Sequence, residues 1–350
     1  MTALAAAERP VLRVANWSEY IDLDSDDVDV PLAERSPTLR SFMQQYDCHI
    51  EYIEYDSENA IEAQILSSPG FFDVVIMASD LVANLEEAGR VLQLDETKVP
   101  NLATVAPLYL RHSEQVVGRH SSVPFLAGTT GIAVRKDLVP EAITSWRQYF
   151  HPAAGSGVVV LDEPYSLWSF ALMALGQDPV AGQSDPKALR AASREVAGLM
   201  RGGQVVAVTA APEDTAAALL SGKAALAIMY SGDFLTARDQ NGGDKLAYVI
   251  PQEGSEVWTD VIVVMSDSAH PTLACALVNH LLSAPVQARL AVEMSYQAVN
   301  ATALDMIRSD NPGYFSDPII FPSQEDSSRL QVIQTIAPDI ATLWRRLREE

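Results

Sequence analysis

At 350 residues the chain is long enough for two or three domains of ordinary size, and 48% hydrophobic against 20% charged content describes a globular protein with a substantial core. The formal net charge of -22, from 46 acidic and 24 basic residues, argues against nucleic acid and anionic membrane surfaces as partners and favours the approach of cationic solutes. Two cysteines far apart, Cys48 and Cys275, give no disulfide framework, and the six scattered histidines have no metal-ligand spacing.

No segment approaches the roughly 18 unbroken apolar residues of a membrane-spanning helix. The start, Met1-Thr2-Ala3-Leu4-Ala5, lacks a basic region followed by a long apolar core. The expectation is either a cytoplasmic protein or one whose signal peptide is not visible here.

Val11-Leu12-Arg13-Val14-Ala15 alternates with period two and predicts a first strand ending near Asn16. Trp17, Ser18, Glu19 and Tyr20 follow, at the place where a first strand-to-helix loop begins. In open α/β sheets, ligands sit outside the carboxyl ends of strands. Aromatic faces beside a carboxylate suit a cation, by ring quadrupole and by charge pairing. The plain alternative is a strand-to-helix turn with a core Trp and a surface Glu.

The acidic run Asp22 to Asp29 lacks the glycine turn and closing glutamate of an EF-hand and reads as a solvated loop. Pro37 to Tyr46 reads as a helix with Leu39, Phe42 and Met43 inward. Cys48 to Tyr55 is a second strand. Ser57 caps a helix over Glu58 to Leu66. Phe71 to Met77 is a continuous apolar run of buried parallel-strand type, ending at Ala78-Ser79-Asp80. Leu81 to Ala88 is helical, with Gly89 just past its end. This β-α-β-α-β-α order predicts a doubly wound, mainly parallel sheet.

Gly128-Thr129-Thr130-Gly131 reads as a glycine-rich turn leading into a strand. No Gly-Lys-Ser/Thr follows, so it is not a phosphate loop. Further strands are expected at Val158 to Asp162, Gln204 to Val208, Ala224 to Tyr230 and Trp258 to Val264. Helices are expected at Ser166 to Leu175, Pro186 to Arg201, Pro212 to Ser221, from near Phe234, at Thr272 to Ser283, at Pro285 to Ala291 and at Ile340 to Arg348. The chain shows no repeats and no low-complexity linkers. Two interleaved lobes are therefore expected, one from roughly Leu12 to Ala127 and Asp260 to Met306, the other from Gly128 to Thr259 with 307–350.

Nine stretches line up in one order: Asn16 to Tyr20, Phe72-Asp73-Val74-Val75, Thr129 to Ile132, Ser145-Trp146, Leu161-Asp162-Glu163-Pro164, Tyr230 to Asp233, Ile250 to Gly254, Trp258-Thr259-Asp260 and Asn311-Pro312-Gly313. Together they resemble the periplasmic putrescine- and spermidine-binding proteins of bacterial ABC importers, from about Leu12 to the C-terminal helix. The resemblance implies a type II two-lobed α/β periplasmic-binding-protein fold with an interlobe cleft. It implies an extended polyamine held by aromatic walls and acidic ends, closure of the lobes about a hinge, a membrane permease as partner and a periplasmic location. It implies no cofactor, and a monomer is expected.

Carried over by position, Trp17 and Tyr20 would be walls and Glu19 an amine-binding acid, while Asp233, Trp258, Asp260 and Tyr296 match family binding positions. Ser18, Ser79 and Asp80 would add polar contacts. Tyr230 stands where the family usually has Trp, and Ala78 where a serine is usual. Ser166 stands where the family carries an amine-binding glutamate, so either Asp80 substitutes for it or the ligand is a shorter diamine, a mono-acylated polyamine or another cationic amine.

Asp260 opens a very apolar strand, where an unpaired acid is costly, and a ligand role is favoured. Asp233 is either a ligand acid or a helix N-cap. Trp258 and Tyr230 read either as core aromatics or, on the strength of loop positions, as walls, and Trp146 and Trp168 read as core. Asp162 and Glu163 read as supporting or solvated. The competing class is a cysteine- or cofactor-dependent transferase on the same fold. A nucleophilic cysteine needs an activating base or a helix N-terminus; Cys48 and Cys275 read instead as buried small hydrophobes. A ligand-binding sensor without transport has the same sequence signature.

Overall fold

The computed structural model describes residues 9–110, 121–333 and 339–349. The reading of Met1 to Ala5 lies outside them. The chain divides into two units, one of residues 1–127 and 259–312, the other of 128–258 and 313–350, and it passes between them after Ala127, Trp258 and Pro312.

In the first unit, β1 (Val11–Trp17) pairs in parallel with β2 (His49–Tyr55) and with β3 (Val74–Ala78). The antiparallel β9 (Ser255–Val264) lies beside β3, with Ala78 opposite Asp260. The carboxyl ends of β1, β2 and β3 therefore share one edge with the early part of β9. The near-continuous apolar sequence of β3 follows from burial on both faces: Val75 and Met77 pack with Ile61, Ile65, Leu85 and Val263. Ser57 caps the helix Glu58–Ser67 by accepting from the Ala60 amide, and Ser36 caps Pro37–Tyr46 by accepting from Leu39.

The part of β4 (Val123–Arg135) that lies in the second unit, from Gly128 on, pairs antiparallel with β7 (Leu226–Tyr230) and with β8 (Leu246–Val249). β5 (Val158–Leu161) runs parallel to β7 and to β6 (Val205–Thr209). Trp146 stacks on Phe170 at 4.1 Å between centroids, and Trp168 packs edge-on against Trp344. The helix Pro186–Arg201 turns Ala188, Ala192, Val196 and Leu199 inward at helical spacing onto the same core.

Four readings need correction. Phe71 to Asp73 are not strand: the Asp73 carboxylate accepts from the Arg13 amide at 2.8 Å and from Ser268, and Phe71 lies on the surface beneath the Arg13 guanidinium. Gly128 to Gly131 are not a turn but the middle of β4. A Cβ at Gly128 would stand 2.4 Å from the Trp258 ring, and one at Gly131 would stand 2.6 Å from Tyr248. These glycines make room for aromatics, not for a bend. The run after β1 is not wholly solvated, since Asp22 is 1% exposed and accepts from Ser36, Thr38 and Arg289. Finally, β9 begins at Ser255, so Trp258 is inside a strand.

Candidate functional site

Each unit gathers its own set of the residues singled out above. In the first unit the turn after β1 is built by Asn16, a fully buried side chain. Its amide nitrogen donates to the Tyr20 carbonyl and to the Tyr52 hydroxyl, both at 2.8 Å, and its Oδ1 accepts from the Trp17 amide at 2.9 Å. Glu19 takes a left-handed backbone (φ 57°), and its amide donates to Glu54 at 3.0 Å. The chain thereby turns sharply enough to bring Tyr20 back under the sheet edge, where it is 7% exposed. Its ring meets Phe125 and Tyr296 edge-on, each at 5.8 Å. Trp17 lies against Tyr55 at 4.5 Å, and the Tyr55 hydroxyl donates to the Ile76 carbonyl at 2.6 Å.

Asp260 sits in this apolar and aromatic setting. Burial pushes its carboxyl up to about 7, and the negative charge of Asp80 pushes the same way. The Tyr20 hydroxyl and the Trp17 indole N–H act in the opposite sense, and burial outweighs them. Burial also raises Tyr55 well above its ordinary range, with the Asp260 charge adding to it. Asp80 belongs to the 3-10 turn Ser79–Leu81 that leaves β3, two residues beyond the pairing partner of Asp260. Trp17, Tyr20, Asp80, Asp260 and Tyr296 are thus one group, with Ser79 in the same turn as Asp80. Ser18 extends the β1–β2 pairing by donating to the Tyr55 carbonyl at 3.1 Å, and the Glu19 side chain is exposed.

In the second unit, Tyr230 closes β7 and meets Trp258 edge-on at 5.8 Å. Asp233 is in the first turn of the helix Ser231–Arg238, not at its N-cap, which is Tyr230. A carboxylate there is favoured by the amide dipoles. The Ser231 hydroxyl accepts from the Thr129 amide at 3.3 Å. Tyr248, whose hydroxyl bonds Thr129, is half-buried; the desolvation of its hydroxyl raises it above its ordinary range, with the charges of Asp233 and Glu256 contributing. Ser166 is half-buried in the helix Pro164–Ala174, which follows β5 at the same sheet edge as Tyr230. Asp162 has a structural use, accepting from Trp344 Nε1 at 2.6 Å and Arg348 Nη1 at 2.5 Å. Cys48 and Cys275 are buried and free, and burial raises both thiols.

Three residues to which the sequence reading gave no site role belong to these groups. Asn16 shapes the first turn and Tyr55 backs Trp17. Glu256 lies two residues before Trp258 on β9, and its carboxylate accepts from Thr130 at 3.0 Å. Strand alternation would have exposed Glu256 had β9 been started at Ser255.

Comparison with known proteins adds identity to this geometry. The family described as bacterial extracellular solute-binding protein matches residues 38–322. The putrescine-binding periplasmic protein SpuD of Pseudomonas aeruginosa is 28% identical over 358 residues, covering 97% of this chain and 90% of that protein. The spermidine/putrescine-binding periplasmic protein of Escherichia coli is 24% identical over 327 residues, 93% of this chain and 87% of that one. Among solved structures, the spermidine/putrescine ABC transporter substrate-binding protein PotD of Streptococcus pneumoniae superposes with a TM-score of 0.78 at 20% identity, covering 97% and 99% of the two chains. The two-lobed α/β fold is therefore shared with substrate-binding proteins.

Proposed function

Because the chain belongs to the family of bacterial extracellular solute-binding proteins, we propose that it is the solute-binding component of an ABC importer and that its ligand is a polyamine or related cationic amine. It works outside the cytoplasm, hands its ligand to a membrane permease and performs no chemistry on it. The names of its relatives support the ligand class, since SpuD and the Escherichia coli protein are a putrescine binder and a spermidine/putrescine binder.

The observation that carries the reading is Asp260. A carboxyl held near neutrality by burial, with Asp80 beside it and Trp17 and Tyr20 against it, repels anions and gains from a cation. An arriving ammonium restores the charge partner that burial removed, and the aromatic faces take its alkyl chain. The second unit offers Tyr230, Trp258 and Asp233 for the remainder of such a ligand. A ligand engaging both sets favours whichever arrangement of the units presents both, which is how binding drives closure.

Titration calorimetry at pH 8 with putrescine, cadaverine, spermidine, agmatine and acetylated polyamines, and with dicarboxylate anions for comparison, tests this. At least one amine is expected to bind at micromolar Kd or tighter. Amines no better than millimolar, with an anion binding tightly, would overturn it.

A further inference from the structure

We propose that Gly128 is a positioning residue of the second unit's amine subsite: its missing side chain seats the Trp258 indole against β4 and sets the spacing between that indole and the helix that carries Asp233. The inference rests on the amine-binding reading above and deepens it.

The backbone does not require glycine at this position. Gly128 lies within the extended β4 and its φ is outside the left-handed region, so any L-residue would adopt the same conformation. Glycine inside a strand weakens it, and its usual reason there is the close approach of another group. A Cβ on Gly128 would stand 2.4 Å from Trp258 Cζ2 and 2.8 Å from Trp258 Cη2, both on the benzo edge of the indole, and 3.0 Å from Ser231 Oγ. All three of these atoms belong to side chains. Gly131 differs. Its Cβ would also meet the Val249 carbonyl oxygen at 2.8 Å, so the pairing of β4 with β8 itself demands glycine there.

Register holds the indole over this glycine. Gly128 and Thr130 share a face of β4, and Glu256 and Trp258 share a face of β9. The Thr130 hydroxyl donates to Glu256 at 3.0 Å, and two residues away on each strand Gly128 receives Trp258. Tyr230 meets the same indole edge-on at 5.8 Å. Ser231 opens the helix Ser231–Arg238, whose first turn holds Asp233, and its hydroxyl accepts from the Thr129 amide at 3.3 Å. The aromatic wall and the helix of the acid therefore both come down on β4 at positions 128 and 129. A methyl group at position 128 would drive the indole off the strand and press on the start of that helix, displacing wall and acid relative to each other. Gly128, the segment from Tyr230 to Asp233 and Trp258 all belong to the second unit, so this spacing is a property of that unit alone.

A double-mutant cycle tests the assignment, using whichever of putrescine, cadaverine, spermidine, agmatine and N-acetylputrescine binds the wild type most tightly. Calorimetry at pH 8 and the thermal midpoint without ligand are measured on the wild type, Gly128→Ala, Trp258→Phe and the double variant. Trp258→Phe replaces the bicyclic ring by a shorter one and removes the carbons that a Cβ at position 128 would strike. Gly128→Ala is expected to weaken binding about thirtyfold with a midpoint within about 3 °C of wild type, and Trp258→Phe to weaken it about tenfold. The double variant is expected to bind within about threefold of Trp258→Phe alone, because both substitutions act through one contact. A glycine with a packing role only would lower the midpoint and leave the two losses in affinity independent. The inference is overturned if Gly128→Ala binds within about threefold of wild type, if the loss in the double variant equals the product of the two single losses, or if Gly128→Ala and the double variant both fail to fold while Trp258→Phe folds. Those results leave the amine-binding reading standing, whereas a wild type that binds none of the five amines overturns both.

Discussion

Replacing Asp260 by asparagine is expected to weaken amine binding by two to four decades while raising the thermal midpoint of the ligand-free protein at pH 8. The first effect follows from removing one partner of a buried ion pair, typically about 3–5 kcal/mol. The second follows from the raised carboxyl. A group near 3.8 when unfolded and about 7 when folded holds an extra proton in the folded state between those values. Its contribution to stability is therefore intact below about pH 4 and lost as pH rises toward 7. At pH 8 the buried charge costs roughly 4 kcal/mol. Asparagine keeps the shape and removes that cost. Thermal melting and calorimetry on the same preparation give both readings. A lower midpoint with unchanged affinity would mean that Asp260 is a structural acid.

Asp22→Ala is expected to lower stability by about 3 kcal/mol, or roughly 5–10 °C in Tm, while leaving amine affinity within threefold. Asp22 accepts from Ser36 Oγ at 2.6 Å, Thr38 Oγ1 at 2.8 Å, the Thr38 amide at 3.2 Å and Arg289 Nε at 2.5 Å. It ties the loop after β1 to the start of the helix Pro37–Tyr46 and to the helix Ala284–Met294. Truncation leaves the Thr38 amide and two hydroxyls buried without this acceptor. Arg289 is 39% exposed and regains water, which limits the loss. A shift of less than about 2 °C on thermal unfolding would show that the network is dispensable.

Much of the fold was legible because local chemistry and periodicity agreed. Pro37–Tyr46 and Pro186–Arg201 begin at proline after a capping Ser36 or Asp185, and both match the predicted bounds. The buried strands β3 and β7 announced themselves as short apolar runs ending in polar residues. What failed was what depends on partners distant in sequence. Gly128 and Gly131 look like a turn until Trp258 and Tyr248 are seen to fill the space beside them. Asp22 looks solvated until Arg289, 267 residues later, is placed against it.

The candidate site divides in the same way. Trp17 and Tyr20 were visible because they stand at and just beyond the end of a strand, and Asp260 because an acid interrupts an apolar run. The grouping of Tyr20 with Tyr296, and of Asp80 with Asp260, is set by chain pairing that no local pattern contains. Glu256 was hidden by placing the start of β9 three residues late, which concealed its alternation with Trp258 and Asp260.

The most direct test of a cation taken by Asp260 is the proton balance of putrescine binding, measured by titration calorimetry in buffers of different ionisation enthalpy from pH 6 to pH 8. Putrescine carries both of its charges up to about pH 8, so any proton that moves below that comes from the protein. At pH 6 the free Asp260 carboxyl is mostly protonated, and an arriving ammonium must ionise it. Release of nearly one proton per putrescine bound is expected at pH 6, about half a proton near pH 7 and about a tenth at pH 8, with the release absent in Asp260→Asn. Proton uptake, or binding at pH 6 with no proton exchanged, would contradict it.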